Sequence, residues 1–380
     1  MKVYKFILTI GGIFILNPGQ AAIAGNHPNT FNKVNALNVD SPKKELAPPP
    51  QMVTYAISSI TAKMTLNGYT QVRYQYNLDA NNPHVNSFDI RNARLILKGT
   101  VLKNIGYNFQ ADFAPPTVRL MDGTFAYTIN KYAKFTAGQQ KVPLSYESLR
   151  IDYDIRSMNR SQVVEALTAR TRDVLATAAS ATAINNNGRD IGLLFSGSVP
   201  KNSDNTSWVD YSLGVFDGMG INVSDADAYK DVAGRVVIHP VKAMGIGGSF
   251  YSGKATYGID KTTPKDRDRF GFDISYEDGK RIYAVAEYLQ GKDSVTKKSG
   301  YYALVEGYIL PKTFAALVKY DHYDPNTNND GDASTITSFA LNYYFAPFTK
   351  IQLQYDLKHE DGAATQKKND LISVMAQVFF

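Results

Sequence analysis

Residues 105–113 read Ile-Gly-Tyr-Asn-Phe-Gln-Ala-Asp-Phe, and the reading of this stretch decides the fold. Ile105, Tyr107, Phe109, Ala111 and Phe113 alternate with Gly106, Asn108, Gln110 and Asp112. Strand side chains point to opposite faces in turn, so one face here is oily and the other polar. The pattern recurs within the surrounding stretch, Phe88–Arg160, and beyond it. Thr70, Val72, Tyr74 and Tyr76 oppose Gln71, Arg73 and Gln75, and Ile351, Leu353, Tyr355 and Leu357 oppose Gln352, Gln354, Asp356 and Lys358. Lys280–Gln290 is less regular, with Tyr283, Val285 and Leu289 sharing a face with Glu287. A soluble antiparallel sheet with one wet face shows the same alternation. So does a transmembrane β-barrel, whose exterior is apolar and whose interior is lined by water. Other features must decide between them.

The first is the N-terminus. Lys2 and Lys5 precede an apolar run, Phe6–Leu16, and Ala22-Ile23-Ala24 follows as a small-x-small cleavage site. This is the pattern of a secretory signal peptide over residues 1–24. The run is too short for a membrane anchor, which needs about 20 apolar residues. An exported chain that enters a membrane without such helices does so as a closed barrel. Residues 25–63, with Ser41-Pro42-Lys43-Lys44 and Ala47-Pro48-Pro49-Pro50, read as a partly disordered periplasmic lead.

The second is the spacing of the strands. Sixteen candidates of about ten residues, each bounded by turn signals, follow from Leu66. They run over 66–78, 87–99, 104–114, 118–130, 132–141, 190–199, 207–217, 230–239, 242–252, 268–277, 280–290, 299–309, 313–323, 334–345, 349–358 and 370–380. Connections after even-numbered candidates are mostly short, as at Asn130-Lys131, Asp278-Gly279 and Ala346-Pro347-Phe348. After odd-numbered ones they are usually long and polar, as in Gly253–Arg267, Gly291–Lys298, Asp324–Ala333 and His359–Asn369. The 113–118 connection and Pro200–Thr206 depart from this rule. Bacterial barrels have short periplasmic turns, long external loops and an even strand number. The expected fold is therefore all-β: a 16-stranded antiparallel transmembrane β-barrel over 64–380, with an inward-folded third external loop. Ile372, Val374, Ala376, Val378 and Phe380 place a final aromatic on the lipid face, where interfacial rings are favoured.

Several segments then resemble one family. Arg91-Asn92-Ala93-Arg94-Leu95-Ile96-Leu97-Lys98-Gly99 is similar to the second-strand signature of the phosphate-selective porin O and P family. Tyr107–Phe113 resembles its third strand. Gly138–Glu147, GQQKVPLSYE, resembles its GQFKxPFSxE segment, with Gln140 where Phe is usual. Asn159-Arg160-Ser161 resembles its ERS, with Asn in place of Glu, and Gly188-Arg189-Asp190-Ile191-Gly192 matches its entry into the sixth strand. The similarity spans about 66–380 and is specific mainly in the first half. It implies a homotrimer of 16-stranded barrels, a third loop that narrows the lumen, and basic side chains there that favour anions.

The connection from Val142 to Arg189 is far longer than the others, and loops beyond about 12–15 residues are usually functional or disordered. It carries Arg150, Arg156, Arg160, Arg170, Arg172 and Arg189, no lysine, and Glu147, Asp152, Asp154, Glu165 and Asp173, a net charge of about +1. Rings of basic side chains attract anions in pores, and the arginine fork suits phosphate. Arg150, Arg156 and Arg160 are the first candidates for the constriction, and Arg73, Arg94, Lys98 and Lys141 fall on polar wall faces. The same charges could simply be hydrated and paired with acids. The Ala-rich piece Val174–Ala183 has no assigned role.

No cofactor and no metal are expected. The absence of cysteine excludes a disulfide framework and thiolate metal sites. His27, His84, His239, His322 and His359 have no metal spacing. Gly248–Lys254 nearly spells a phosphate loop, but Ala255 stands where Ser or Thr is needed. Asp324–Asp332 resembles the start of a calcium loop, with Thr337 where Glu is needed. The formal charge of +6 is dispersed and does not point to nucleic acid. With no nucleophile elbow the chain is not read as an enzyme. The expected function is an outer-membrane diffusion channel preferring inorganic anions or phosphate. A non-conducting barrel, such as an adhesin or surface enzyme, and a soluble carbohydrate-binding β-protein remain as alternatives.

Overall fold

Every expected strand has one counterpart in the computed structural model. The structure describes residues 63–79, 86–168, 188–200, 206–225, 228–255, 263–362 and 368–380. The stretches read as a signal peptide and a lead, up to residue 62, and Arg170, Arg172, Asp173 and the Ala-rich piece lie outside the described residues. In chain order the strands are β1 (Lys63–Asn77), β2 (Asn86–Leu102), β3 (Ile105–Asp112), β4 (Arg119–Asn130), β5 (Ala133–Lys141), β6 (Arg189–Pro200), β7 (Ser207–Phe216) and β8 (Asp231–Ile238). They continue as β9 (Met244–Ala255), β10 (Lys265–Glu277), β11 (Ile282–Asp293), β12 (Thr296–Leu310), β13 (Phe314–Asp324), β14 (Ser334–Ala346), β15 (Thr349–Glu360) and β16 (Leu371–Phe379). Each pairs antiparallel with its sequence neighbours, and β1 pairs with β16 from Tyr69↔Phe379 to Asn77↔Leu371, closing the barrel. Closure leaves no sheet edge exposed to hydrocarbon, where an unpaired backbone group costs several kcal/mol. Gly248–Lys254 is plain strand within β9, with no helix after it.

Sidedness follows the alternation read from the sequence. Val72, Phe125, Leu193, Phe272, Val305 and Leu353 lie on the exposed outer face, while Gln71, Arg94, Gln110, Lys319, Gln352 and Gln354 are buried on the inner one. The solvent outside is lipid, so the usual inside-out rule of soluble proteins is reversed.

Two expectations need correction. Gly291–Lys298 is not a long external loop: β11 runs to Asp293 and β12 starts at Thr296, leaving only Ser294 and Val295 between them. Arg269 and Lys298 meet the Asp293 carboxylate at 2.5 and 2.6 Å, and these ion pairs carry the ladder up to the turn. The inner face is also not wet throughout. Tyr283, Val285, Leu289, Tyr302, Leu304, Leu317, Tyr323 and Ala340, all inward on β11–β14, form a dry patch. A short helix, residues 162–168, covers it with Val163, Val164, Ala166 and Leu167. This explains the irregular face of 280–290: its apolar residues are matched by a helix rather than by lipid.

Local backbone chemistry fixes two further positions. A register shift between Gln71 and Val72 leaves Arg91 as an extra residue in β2. Such a bulge resets which side chains face inward, and Arg91 and Asn92 both reach the Gln71 side-chain oxygen, at 3.0 and 2.5 Å. At Gly138 φ is +117°, and a Cβ would sit 2.1 Å from the Gly123 carbonyl oxygen. Only glycine fits there.

Candidate functional site

The segment 142–161 has little regular structure of its own. It holds one helical turn, α1 (Tyr146–Leu149), and a 3-10 turn over Asp152–Asp154; the 162–168 helix, α2, follows. Ser145 caps α1 through its hydroxyl, which accepts from Ser148 N–H at 3.1 Å. An irregular backbone leaves polar groups that must find partners if buried. Here the barrel wall supplies them. Gln377 donates to Tyr153 O at 2.9 Å, Lys350 to Ile155 O at 2.9 Å, Gln352 to Arg156 O at 2.9 Å and Lys319 to Asn159 O at 3.1 Å. Wall acceptors serve the N–H groups: Glu287 takes Tyr146 and Glu147, Gln354 takes Met158 and Asp321 takes Gln162. These partners stand on β11, β13, β15 and β16, one continuous arc of the wall.

Most candidate site residues are engaged in ion pairs. Arg73 grips Asp89 with two nitrogens at 3.0 and 2.5 Å and reaches Asn159 Oδ1 at 3.3 Å. Arg94 pairs with Asp112 at 2.8 Å and also with Asp152. Arg160 donates to the carbonyls of Glu147 and Arg150 and pairs with Asp152 at 3.2 Å. Burial alone would raise the Asp152 carboxyl, but Arg94, Arg160 and Lys141 outweigh it and hold it well below the usual carboxylate range. Arg150 pairs with Asp154 at 2.9 Å, and Arg156 pairs with Glu277 at 2.6 Å and stacks on the Tyr283 ring at 4.9 Å. Lys141 donates to Ser148 O and Arg150 O at 2.7 and 2.6 Å. Lys98 alone of the set is exposed and in no ion pair among the described residues.

Three cavity-lining cations that the sequence reading did not single out, Arg91, Arg119 and Lys134, make no ion pair among the described residues. Arg91 is brought inward by the bulge, which parity cannot foresee. Lys134 shares the inward face of β5 with Thr136, and parity would have found it. These three and Lys98 line two cavities on either side of Ile151–Asp152. One, of about 510 Å³, is bordered by Lys98, Lys134, Lys141 and the Arg189–Asp122 ion pair, 2.7 Å, with no other carboxylate among its described lining residues. The other, of about 360 Å³ and nearer the external strand ends, holds Arg91, Arg94 and Arg119 with Asp112, Asp152 and Glu165.

A closed 16-stranded barrel with polar cavities inside is channel architecture. Residues 63–263 match the family described as phosphate-selective porin O and P. The chain belongs to that family. This porin is an outer-membrane channel of a Gram-negative bacterium. Solved structures similar to the porin include OmpF of Salmonella typhi in complex with daunomycin, at TM-score 0.60 and 10% identity, covering 84% of this chain and 98% of that one. The trimer form of OmpT of Vibrio cholerae gives 0.59 and 12%, covering 84% and 99%. The outer-membrane channel DcaP of Acinetobacter baumannii gives 0.57 and 12%, covering 84% and 97%. At these identities the likeness concerns the fold. No curated protein matches the sequence.

Proposed function

We propose that this porin is an anion-preferring diffusion channel in which the segment 142–168 lies across the lumen and leaves a water path along β2–β6. The observation that carries the reading is the charge of the larger cavity, where Lys98, Lys134 and Lys141 stand beside the Arg189–Asp122 ion pair. A pore lined by unbalanced positive charge concentrates anions and repels cations. The dry patch under α2 supports confinement of the path to the opposite wall. In this reading Arg150, Arg156 and Arg160 fix the segment through Asp154, Glu277 and Asp152. Lys98 and Lys134, with Arg91 and Arg119 at the external side, meet the ions. Phosphate is the family's solute, and the arginine pair at the external cavity suits its oxygens.

A homotrimer belongs to the same proposal. β3 and β8 have eight residues each, below the roughly 9–11 needed to cross hydrocarbon at a tilt, and strands this short suit a protein neighbour better than lipid. One structural neighbour, OmpT of Vibrio cholerae, is described in a trimer form.

The test is recording in a planar bilayer under a potassium chloride gradient, then with phosphate. A reversal potential of anion-selective sign is expected, with inhibition of chloride current by phosphate. A cation-selective sign would reject the preference, and the absence of conductance would leave a plugged barrel.

A further inference from the structure

On the outer, lipid-facing surface Lys292 and Lys297 stand directly opposite each other in the β11–β12 ladder. Their inward neighbours Asp293 and Lys298 are buried and ion-paired, which fixes the two lysines on the other face. Like charges directly opposite in a sheet are destabilising. Neither ammonium has a carboxylate within ion-pair distance among the described residues. On the neighbouring strands Asp268, opposite Lys292, accepts the Ser252 hydroxyl at 2.7 Å, and Asp324, opposite Ser299, accepts Asn326 N–H at 3.0 Å. The two-residue turn at Ser294-Val295 keeps the pair on the ladder, one step from the strand ends.

Below the lysines the outward residues change in an ordered way. Gln290 lies opposite Ser299, then Tyr288 opposite Tyr301, then Ala286 opposite Ala303. Tyrosines mark the headgroup level of a membrane. One step deeper, Ile274 on β10 and Tyr320 on β13 flank the two alanines. Small side chains between large ones leave a shallow furrow on the wall at Ala286 and Ala303, beneath the Tyr288 and Tyr301 pair.

We propose that this strip binds a phosphorylated outer-leaflet lipid, with Lys292 and Lys297 clamping the headgroup phosphate and an acyl chain lying in the furrow at Ala286 and Ala303. Two ammonium groups bridged by one phosphate replace a repulsion with two charge-assisted hydrogen bonds. The position favours a lipid phosphate over a free one, because the strip faces hydrocarbon and not the pore.

The test is native mass spectrometry of the full-length porin in detergent, titrated with lipid A, with phosphatidylcholine as the lipid lacking net negative charge. Retained lipid A is expected, with apparent affinity falling about tenfold or more in K292Q/K297Q, while single-channel conductance stays unchanged because both side chains point away from the lumen. A303F, which fills the furrow and keeps both charges, is expected to weaken lipid A as well, and a heat-modifiability gel confirms that each variant is folded. Unchanged lipid A affinity in the folded K292Q/K297Q variant would overturn the assignment. So would displacement of lipid A by millimolar inorganic phosphate, or equal retention of phosphatidylcholine.

Discussion

The carboxylate of Glu287, on the barrel wall, accepts the backbone N–H of Tyr146 at 2.7 Å, and its second oxygen accepts Glu147 N–H at 3.2 Å. A wall residue thus caps the first turn of a helix in the segment beside it, more than a hundred residues away in sequence. Asp321 does the same for α2 through Gln162 N–H at 2.8 Å. Helix N-termini carry unpaired N–H groups and partial positive charge, and a carboxylate satisfies both. Hydrogen bonds to a charged group contribute about 1.5–3 kcal/mol. Glu287→Ala is therefore expected to loosen the segment without opening the barrel. Single-channel traces should show a larger, noisier open level. A wild-type trace would show that the cap does not hold the segment.

The second prediction concerns charge. Lys98→Ala with Lys134→Ala removes two unpaired cations from the larger cavity and is expected to move the reversal potential toward the cation side. Arg150→Ala removes a cation already paired with Asp154, and in doing so frees that carboxylate. It is expected to act mainly on conductance level. A greater loss of anion selectivity from Arg150→Ala than from the lysine pair would return the filter to the loop arginines.

A third prediction addresses the dry patch. Leu167 is fully buried between α2 and the wall, and burying a leucine contributes roughly 1.5–3 kcal/mol. Leu167→Asp adds the cost of an unpaired buried charge, enough to detach α2 while the strand ladder stays intact. Conductance should rise, with heat-modifiability of the barrel preserved. Loss of the folded barrel would mean that α2 is needed for assembly.

The fourth concerns pH. Burial opposes ionisation of Asp152, but Arg94, Arg160 and Lys141 prevail and lower its pKa. A carboxyl whose pKa falls on folding contributes stability that is fully present above its unfolded value, near about 3.9, and is lost as pH falls through the lower folded value. The Asp152 cluster should thus survive acidification from about pH 7 to about pH 5. Asp152→Asn is expected to disrupt it at neutral pH, leaving Arg94 with Asp112 alone and Arg160 without its closest carboxylate. The readout is the open-level conductance of both proteins across that range. A wild-type level that changes well above pH 4 would assign the response to another group.

A fifth prediction tests the backbone. Gly138→Ala forces a Cβ against the Gly123 carbonyl at a φ that side chains rarely adopt. It should block formation of the heat-modifiable folded species, whereas Gln140→Phe, the residue usual in the family, should be tolerated.

Strand number, barrel sidedness and the family were legible in the chain because a membrane barrel imposes a strict period of two and a regular spacing of turns. The outward face of Ile105–Phe113 needs only its own residues and the lipid to be explained. The engagement of the charges was not legible. Which arginine meets Asp152, and which lysine serves a carbonyl of Ile155 or Asn159, depends on residues up to 195 positions apart being brought together by closure. Arg91 turned inward through a bulge that no alternation encodes. The apolar run Tyr283, Val285 and Leu289 had meaning only once a helix from residues 162–168 covered it. Periodicity is a local property that a sequence states outright; charge pairing and the packing of α2 on β11–β13 are decided by which distant residues the closed barrel brings together.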